Sequence, residues 1–320
     1  MEEGLSIIIV NYNGAKFLEN CIRSYQDFLI RERIRYEFLI IDNASTDDSV
    51  LVIGELSQRF CSIRPFFSNV NHGFSKGNNL LVQEARFKTL IFLNNDTETI
   101  DLSNLCKKLN SSGLDENTIY TCKILNENLT KQKNVFNYPK LIYTILEVFL
   151  IKKSLLKIYS FFIRPNEGIG TGYFSGCYLV INKDLFLSVG GFDEAFFFYH
   201  EECDLFMRLE SLALKKEILN DKIIHFGSGG GLISDFSFKN YYLNLARLLI
   251  KHNFGSVNLI KTVFEFGFKF RVMLLILKIK ISYSPFSNVY LANRSKSFNR
   301  NHVIKLHQDT VESIKNINLS

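Results

Sequence analysis

Tryptophan is absent from this 320-residue chain, and so are several short signatures that would settle its chemistry at a glance. No G-x-x-x-x-G-K-[ST] run is present to cradle the phosphates of ATP. The six cysteines (Cys21, Cys61, Cys106, Cys122, Cys177 and Cys203) include no C-x-x-C pair. That argues against a zinc ribbon or a dithiol redox motif and favours buried free thiols in a reducing compartment. No apolar run reaches the ~18 residues of a membrane-spanning helix. Leu141–Phe162 is broken by Glu147, Lys152, Lys153 and Lys157, and Val272–Ile281 by Lys278 and Lys280. The start, Met1-Glu2-Glu3-Gly4, is acidic, and Leu5–Val10 is too short for a secretory core. The expected location is the cytoplasm, including the cytoplasmic face of the cell membrane.

What is present is a large aromatic and aliphatic inventory. Hydrophobic residues make up 47% of the chain, with 30 Phe and 14 Tyr standing in for the missing Trp. A chain of this length can bury one large core, or one core and a smaller appendage. Net charge is +6, unevenly distributed. From Ser234 onward there are 13 Lys and Arg against 4 Asp and Glu, leaving 25 against 28 before it. An acidic-leaning body with a basic, apolar tail points to an enzyme with an attachment surface.

Strand and helix signals alternate through the first hundred residues. Ser6–Val10 reads as a buried strand, and Ala15 to Ile30 as a helix with Phe17, Leu18, Cys21 and Ile22 on one face. Phe38–Ile41 is a second strand, and Asp47 or Asp48 can cap a helix running to Arg59. Ser62–Phe67, a stretch Gly73–Asn79 leading into a helix through Arg86, and Leu90–Leu93 continue the pattern. This order predicts a parallel sheet. Further on, Thr118–Leu125 and Cys177–Ile181 read as strands, the latter after a glycine-rich loop over Gly168–Gly176. Tyr199–Leu212 reads as a helix and Lys222–His225 as a short strand. In Asn240–Lys251 a narrow polar stripe (Asn240, Asn244, Arg247, Lys251) faces a wide apolar arc, which must pack on the body or lie at a membrane interface. The tail beyond Ser284 is polar and is expected to be loosely ordered.

Polar clusters fall at strand ends, where open α/β sheets bind ligands. Asp42-Asn43-Ala44-Ser45-Thr46-Asp47 closes the second strand; its lead carboxylate can accept from a nucleobase imide or ribose hydroxyl, or simply shape a turn. Asn94-Asn95-Asp96 closes the fourth and suits a hard divalent cation bridging to a diphosphate. His225, ending a later strand, can supply an imidazole ligand if the sheet brings it beside Asp96. Glu201, Glu202 and Asp204 crowd three carboxylates into one helix start. Mutual repulsion raises the pKa of at least one, which suits a general base. Gly170–Gly176 does not fit the dinucleotide fingerprint, because it precedes a strand.

Taken together and in order, these blocks resemble family 2 of the inverting nucleotide-sugar glycosyltransferases, most closely its rhamnosyltransferase-like and galactofuranosyltransferase-like branch. The matching blocks are Val10–Gly14, Asp42–Asp47, Asn71–Asn79, Leu93–Thr97, Ser175–Cys177, Gly191–Asp204 and His225. The resemblance implies an α/β fold of GT-A type, with a Rossmann-like, mostly parallel sheet flanked by helices and a C-terminal helical, basic and apolar extension. It divides the chain into a catalytic domain over 1–232 and an extension over 233–320. The nucleotide-binding half covers about 1–100 and the acceptor half about 101–232.

By the same resemblance, Asn11, Tyr12 and Asp42 hold the base and ribose of the donor, and Asn78, Asn94 and Asn95 line its site. Asp96 and His225 hold Mg²⁺ or Mn²⁺. Glu202 takes the place of the base, with Asp204 as second choice and Glu201 beside them. Two positions depart from the family pattern: Asn94 replaces the first acid of D-x-D, and Glu202 stands where Asp is usual.

The expected reaction is an inverting displacement, with dTDP-rhamnose or a UDP-hexose as favoured donors. The expected acceptor is a hydroxyl of a growing cell-surface glycan, lipid-linked at the membrane face. Other expected partners are an anionic membrane surface and a second copy of the chain, but not nucleic acid. The competing readings are a catalytically inactive relative that binds nucleotide sugar or glycan and, last, an Asp-based hydrolase.

Overall fold

A computed structural model describes residues 2–111, 113–150, 172–227, 234–277 and 300–317. Within them the chain divides into two units. The first comprises Met1–Asn137, Gly168–Phe197 and Glu201–Gly229; the second comprises Tyr138–Glu167, Phe198–His200 and Gly230–Ser320. Three expectations fall partly outside the described residues: the apolar segment beyond 150, the glycine loop over 168–171, and the tail over 278–299.

In the first unit eight described strands form one sheet. Four of them, β1 (Glu2–Asn11), β2 (Tyr36–Asn43), β3 (Ile63–Ser68) and β4 (Phe87–Leu93), run parallel in the order β3-β2-β1-β4. Leu5, Ile7, Ile8, Ile9, Phe38, Leu39 and Ile40 are fully buried, as expected of a sheet covered on both faces. Helices α1 (Ala15–Arg31), α2 (Ser49–Arg59) and α3 (Gly73–Glu84) connect these strands. α1 buries Leu18, Cys21, Ile22, Tyr25 and Leu29, the 3–4 spacing of one helical face.

The sheet then departs from the parallel pattern. β5 (Thr97–Asp101), α4 (Ser103–Asn110) and β6 (Thr118–Leu125) follow β4, and β7 (Val135–Asn137) pairs with β8 (Gly172–Phe174) in a small second sheet. Part of the expected glycine loop is therefore strand. β9 (Tyr178–Asn182) inserts antiparallel between β4 and β6. The short helix α6 (Lys183–Ser188) follows it, and α7 (Glu201–Leu209) leads through a 3-10 turn, Glu210–Leu212, into β10. β10 (Lys215–His225) is far longer than the short strand expected; it pairs parallel to β6 and antiparallel to the edge strand β5. Two antiparallel steps restore direction, so β6 and β10 point the same way as β1 to β4. The carboxyl ends of β1, β2, β4 and β10 thus share one edge.

The second unit is helical: α5 (Leu141–Val148), α8 (Asp235–Lys251), α9 (Val257–Ile276) and α10 (Arg300–Lys315). The apolar arc of α8 is used inside this unit, where Phe238, Tyr242, Leu245, Leu249 and Ile250 pack with Val148, Phe264, Phe268, Leu306 and Ile314. Asn244, expected on a polar stripe, is buried instead, and its Nδ2 donates to the carbonyl oxygens of Phe198 and Tyr199. The tail is not loosely ordered throughout. α10 buries Val303, Leu306, His307 and Ile314, an amphipathic face concealed by its polar average composition. No described helix is long and apolar enough to cross a membrane.

Candidate active site

The first cluster joins β1 and β2. Register places Asn11 directly opposite Asp42, and Asn11 Nδ2 donates to Asp42 Oδ1 at 3.1 Å. The amide of Ser45 donates to Asp42 Oδ2 at 3.0 Å, which bends the strand end back under the carboxylate. Thr46 N donates to Asn13 Oδ1 at 2.7 Å, and Asn13 N to Ser45 Oγ at 2.8 Å, so the two loops interlock. Asp47 serves two helices: its Oδ2 accepts from Ala15 N and its Oδ1 from Ser49 N. This satisfies donors that each helix start leaves open. Tyr12 projects from the same loop and is half exposed.

Asn95 reaches this cluster from β4, its Nδ2 donating to Asn11 Oδ1 at 2.7 Å. Gly14 makes the approach possible. A Cβ there would lie 2.0 Å from Asn95 Nδ2 and 2.5 Å from Asn11 Oδ1. Asn78, by contrast, is buried in α3 with its Nδ2 on the Phe74 carbonyl. Asn43 turns to Asn71 and Gly73 and orders the loop before α3.

The second cluster lies where β4, β5 and β10 meet. Pairing of His225 with Thr97 brings the imidazole next to Asp96. His225 Nε2 is 3.3 Å from Asp96 Oδ1 and 3.3 Å from Asn94 Nδ2. The amide of Phe226 donates to the Asp96 carbonyl, and the ring of Phe226 stacks on Phe17. A cavity of about 390 Å³ opens beside His225 and Phe226, lined also by Asn126, Glu127 and Asn128. Among the described residues no group of three or more His, Cys, Asp and Glu side chains could enclose a metal. One carboxylate and one imidazole nonetheless fit Mg²⁺ or Mn²⁺, which is commonly held by one or two protein ligands plus substrate phosphates.

The third cluster is α7. Its expected first turn is not helical: Tyr199 and His200 take φ of 74° and 71°, a left-handed pair that non-glycine residues rarely adopt. The helix begins at Glu201. Its three carboxylates have distinct environments. Asp204 is fully buried and its Oδ2 pairs with Arg208 Nε at 2.8 Å, while Arg208 also donates to the Val189 carbonyl. Glu201 is buried at 5% exposure, and burial followed by the charge of Glu202 pushes its pKa well above the usual range. Glu202 is half-buried. Burial raises its pKa too, against the lowering effect of its own amide and that of Gly176. Its Oε2 is buried without a partner.

Gly176 and Cys177 link the last two clusters. Gly176 lies against Glu202, whose Oε1 is 3.8 Å from where a Cβ on Gly176 would stand, and the Cys177 carbonyl accepts from Asn94 N at 3.0 Å. The Cys177 thiol is pushed up to about 12 by burial, with smaller contributions from the charges of Asp96 and Glu202. The thiol therefore lies within the field of both carboxylates.

Gly73-Phe74-Ser75-Lys76-Gly77 has the G-x-S-x-G spacing of a hydrolase nucleophile. Ser75, however, is fully buried and donates to the Phe196 carbonyl at 2.6 Å. It anchors the 192–197 loop to α3, as does Asn79, which bonds both the amide and the carbonyl of Phe192.

The model of the family described as glycosyl transferase family 2 matches residues 6–190, more than half of the chain. The chain belongs to glycosyl transferase family 2. The chemistry that goes with membership is glycosyl transfer from a nucleotide sugar. Among solved structures, the mannosyltransferase PcManGT from Pyrobaculum calidifontis, in complex with GDP-Man and Mn²⁺, superposes with a TM-score of 0.53 at 10% identity. That match covers 98% of this chain and 86% of PcManGT. GalNAc-T7, with UDP, GalNAc and Mn²⁺, gives 0.51 at 13% identity over 92% of this chain and 58% of its own. TarS of S. aureus gives 0.50 at 14% identity over 97% of this chain and 49% of its own. At such identities these likenesses establish the shared GT-A fold. No curated protein matches the sequence.

Proposed function

We propose that the protein is an inverting, divalent-cation-dependent glycosyltransferase that uses Glu202 as its base. The observation that carries the reading is the convergence on one sheet edge of Asn11–Asp42, Asn94–Asn95 and Asp96–His225. Asn11, Asp42 and the exposed Tyr12 ring suit a nucleoside. Asp96 and His225 would hold Mg²⁺ or Mn²⁺, which when bound supplies positive charge for a diphosphate leaving group.

Among the three acids of α7, Asp204 is neutralised by Arg208 and Glu201 is sealed. Glu202 combines partial exposure of the residue, an oxygen with no hydrogen-bond partner and a raised pKa. Glu202 takes the proton of an acceptor hydroxyl as that oxygen attacks the anomeric carbon. The glycosidic bond to the diphosphate breaks on the opposite face, and the anomeric configuration inverts. A raised pKa strengthens the base, and activity climbs as pH rises through that pKa. Fixing both reactants at one edge supplies much of the remaining acceleration.

The branch resemblance favours dTDP-rhamnose or a UDP-hexose as donor and a glycan hydroxyl as acceptor. The relatives solved with GDP-Man or with UDP and GalNAc justify a wider panel. Thermal stabilisation is measured with UDP, dTDP, GDP and CMP sugars, with and without Mn²⁺. The reading expects one nucleotide to stabilise the protein only with metal, with the effect lost in Asp96→Ala, and product NMR to show inversion. A metal-independent shift, or retention at the anomeric carbon, overturns it.

A further inference from the structure

The tautomer of His225 is fixed by a chain of hydrogen bonds whose direction can be read without ambiguity. It starts at a backbone amide, which can only donate. In the turn after β6, closed by an antiparallel bridge between Leu125 and Lys131, Thr130 N donates to Asn128 Oδ1 at 3.2 Å. That oxygen also accepts from the Thr130 hydroxyl at 2.6 Å. With its proton committed, Thr130 Oγ1 must accept, and it does so from Asn126 Nδ2 at 2.9 Å. The orientation of the Asn126 amide leaves its Oδ1 facing Gln132 Nε2, again at 2.9 Å. Gln132 must then present Oε1 to His225 Nδ1, and the two are 2.7 Å apart. A carbonyl oxygen cannot donate, so Nδ1 carries the hydrogen. In the neutral ring Nε2 is left bare.

The bare Nε2 looks at Asn94 Nδ2, which can donate to it, and at Asp96 Oδ1, which cannot. Two lone-pair-bearing atoms 3.3 Å apart repel unless something positive lies between them. The hairpin itself is tightly held. Asn126 N bonds the Thr130 carbonyl, Gln132 N bonds the Ile124 carbonyl, and Leu129 takes a left-handed φ of 62° at its tip.

We propose that Gln132 is a positioning residue for the cation site. Ordered by Asn126, Thr130 and Asn128, it holds His225 as the Nδ1–H tautomer so that Nε2 and Asp96 Oδ1 form a two-atom cation cradle. This inference rests on the cation reading given above, which supplies the ion that the cradle serves. Hydrogen bonds of this kind behind a metal-binding imidazole set its orientation and basicity, and their loss weakens metal binding roughly 10- to 100-fold.

The test uses the full chain with ¹⁵N-labelled histidine at mildly alkaline pH. Imidazole ¹⁵N shifts report the tautomer without metal, and Mn²⁺ titration by calorimetry reports affinity without turnover. Gln132→Glu keeps an acceptor and preserves both tautomer and affinity. Gln132→Leu removes the acceptor, mixes the tautomers and weakens Mn²⁺ roughly 10- to 100-fold. Gln132→Lys supplies only a donor, drives the hydrogen to Nε2 and weakens Mn²⁺ further. The inference fails if metal-free His225 carries its hydrogen on Nε2, or if its tautomer is the same in all four proteins. If the tautomers follow the pattern while even the unaltered protein ignores Mn²⁺, Gln132 controls the imidazole and it is the cation reading that falls.

Discussion

Both units bury charge-bearing groups, and Arg271 in one and the Glu201–Glu202 pair in the other are treated in opposite ways. In the helical unit Arg271 is fully buried and each of its nitrogens donates a hydrogen bond. Its Nε donates to the Val148 carbonyl at 2.7 Å, its Nη2 to the Glu147 carbonyl at 2.7 Å, and both terminal nitrogens to Tyr242 Oη at 3.1 Å. A cation on the last carbonyls of α5 also suits the negative end of that helix. In the sheet unit the carboxylates of Glu201 and Glu202 each keep a buried oxygen without a partner. A satisfied buried charge cements a fold, whereas an unsatisfied one is held ready for a ligand or a proton.

Acid should separate the two units most sharply. The buried histidines of the helical unit have pKa values pushed down from 6.5, His200 to about 4 and His307 to about 3. Burial is the main cause for both, joined at His307 by the nearby Arg271. Their folded pKa values lie below the unfolded one, so their contribution is complete above pH 6.5 and is lost as pH falls towards 4 and 3. The full loss is about 3 kcal/mol for His200 and about 5 for His307, comparable to the whole stability of many domains. The sheet unit responds with the other sign. Glu201, Glu202 and Asp221 are raised, chiefly by burial. Their ionisation costs stability at neutral pH, and that cost disappears on acidification. Hydrogen exchange corrected for intrinsic rates should show protection in α8–α10 failing between pH 6 and 4 while the strands hold. Simultaneous loss in both units would break the contrast.

The next effect is catalytic. Glu202→Gln should lower kcat about 10²- to 10⁴-fold, with donor and Mn²⁺ binding little changed. The melting temperature at neutral pH should rise, because a raised carboxylate is replaced by a neutral amide. Asp204→Asn should do the reverse, leaving Arg208 short of its partner and lowering stability by about 3 kcal/mol. Stopped turnover in Asp204→Asn with normal melting would exchange the two roles.

Much of this was legible in the sequence because it depends on local pattern. The strands ending at Asn11, Asp42 and Leu93 were visible as apolar runs stopped by Asx residues, and α1 and α2 as periodic faces. The meeting of His225 with Asp96 was open in the sequence, because it depends on β9 and β5 running antiparallel, a matter of pairing rather than of local propensity. Gln132 carried no signal: a glutamine in a polar hairpin acquires meaning only through the five-residue chain it joins. Tyr199 and His200 read as helical by composition, whereas their carbonyl and ring partners, Asn244 and Tyr241, lie more than forty residues away. α10 was obscured by the polar stretch before it, although Val303, Leu306, Val311 and Ile314 keep a helical spacing.

The smallest effect sharpens the contrast from the structural side. Arg271→Met keeps much of the side-chain volume and removes all the donors. The Val148 carbonyl and the Tyr242 hydroxyl then lose the guanidinium donors, at about 1–3 kcal/mol for each group left dry, while the Glu147 carbonyl keeps the Leu150 amide. Removing a guanidinium that was costly to bury offsets part of this, so a net loss of about 2 kcal/mol is expected. The change should also reach His307, whose pKa Arg271 helps to depress. With the cation gone that pKa rises towards 6.5, and less stability is lost between neutral and acid pH. Thermal melts of Arg271→Met should therefore lie below those of the parent at neutral pH and converge on them as pH falls. A constant gap across the range would show that Arg271 acts only through its hydrogen bonds, and that burial alone keeps His307 neutral.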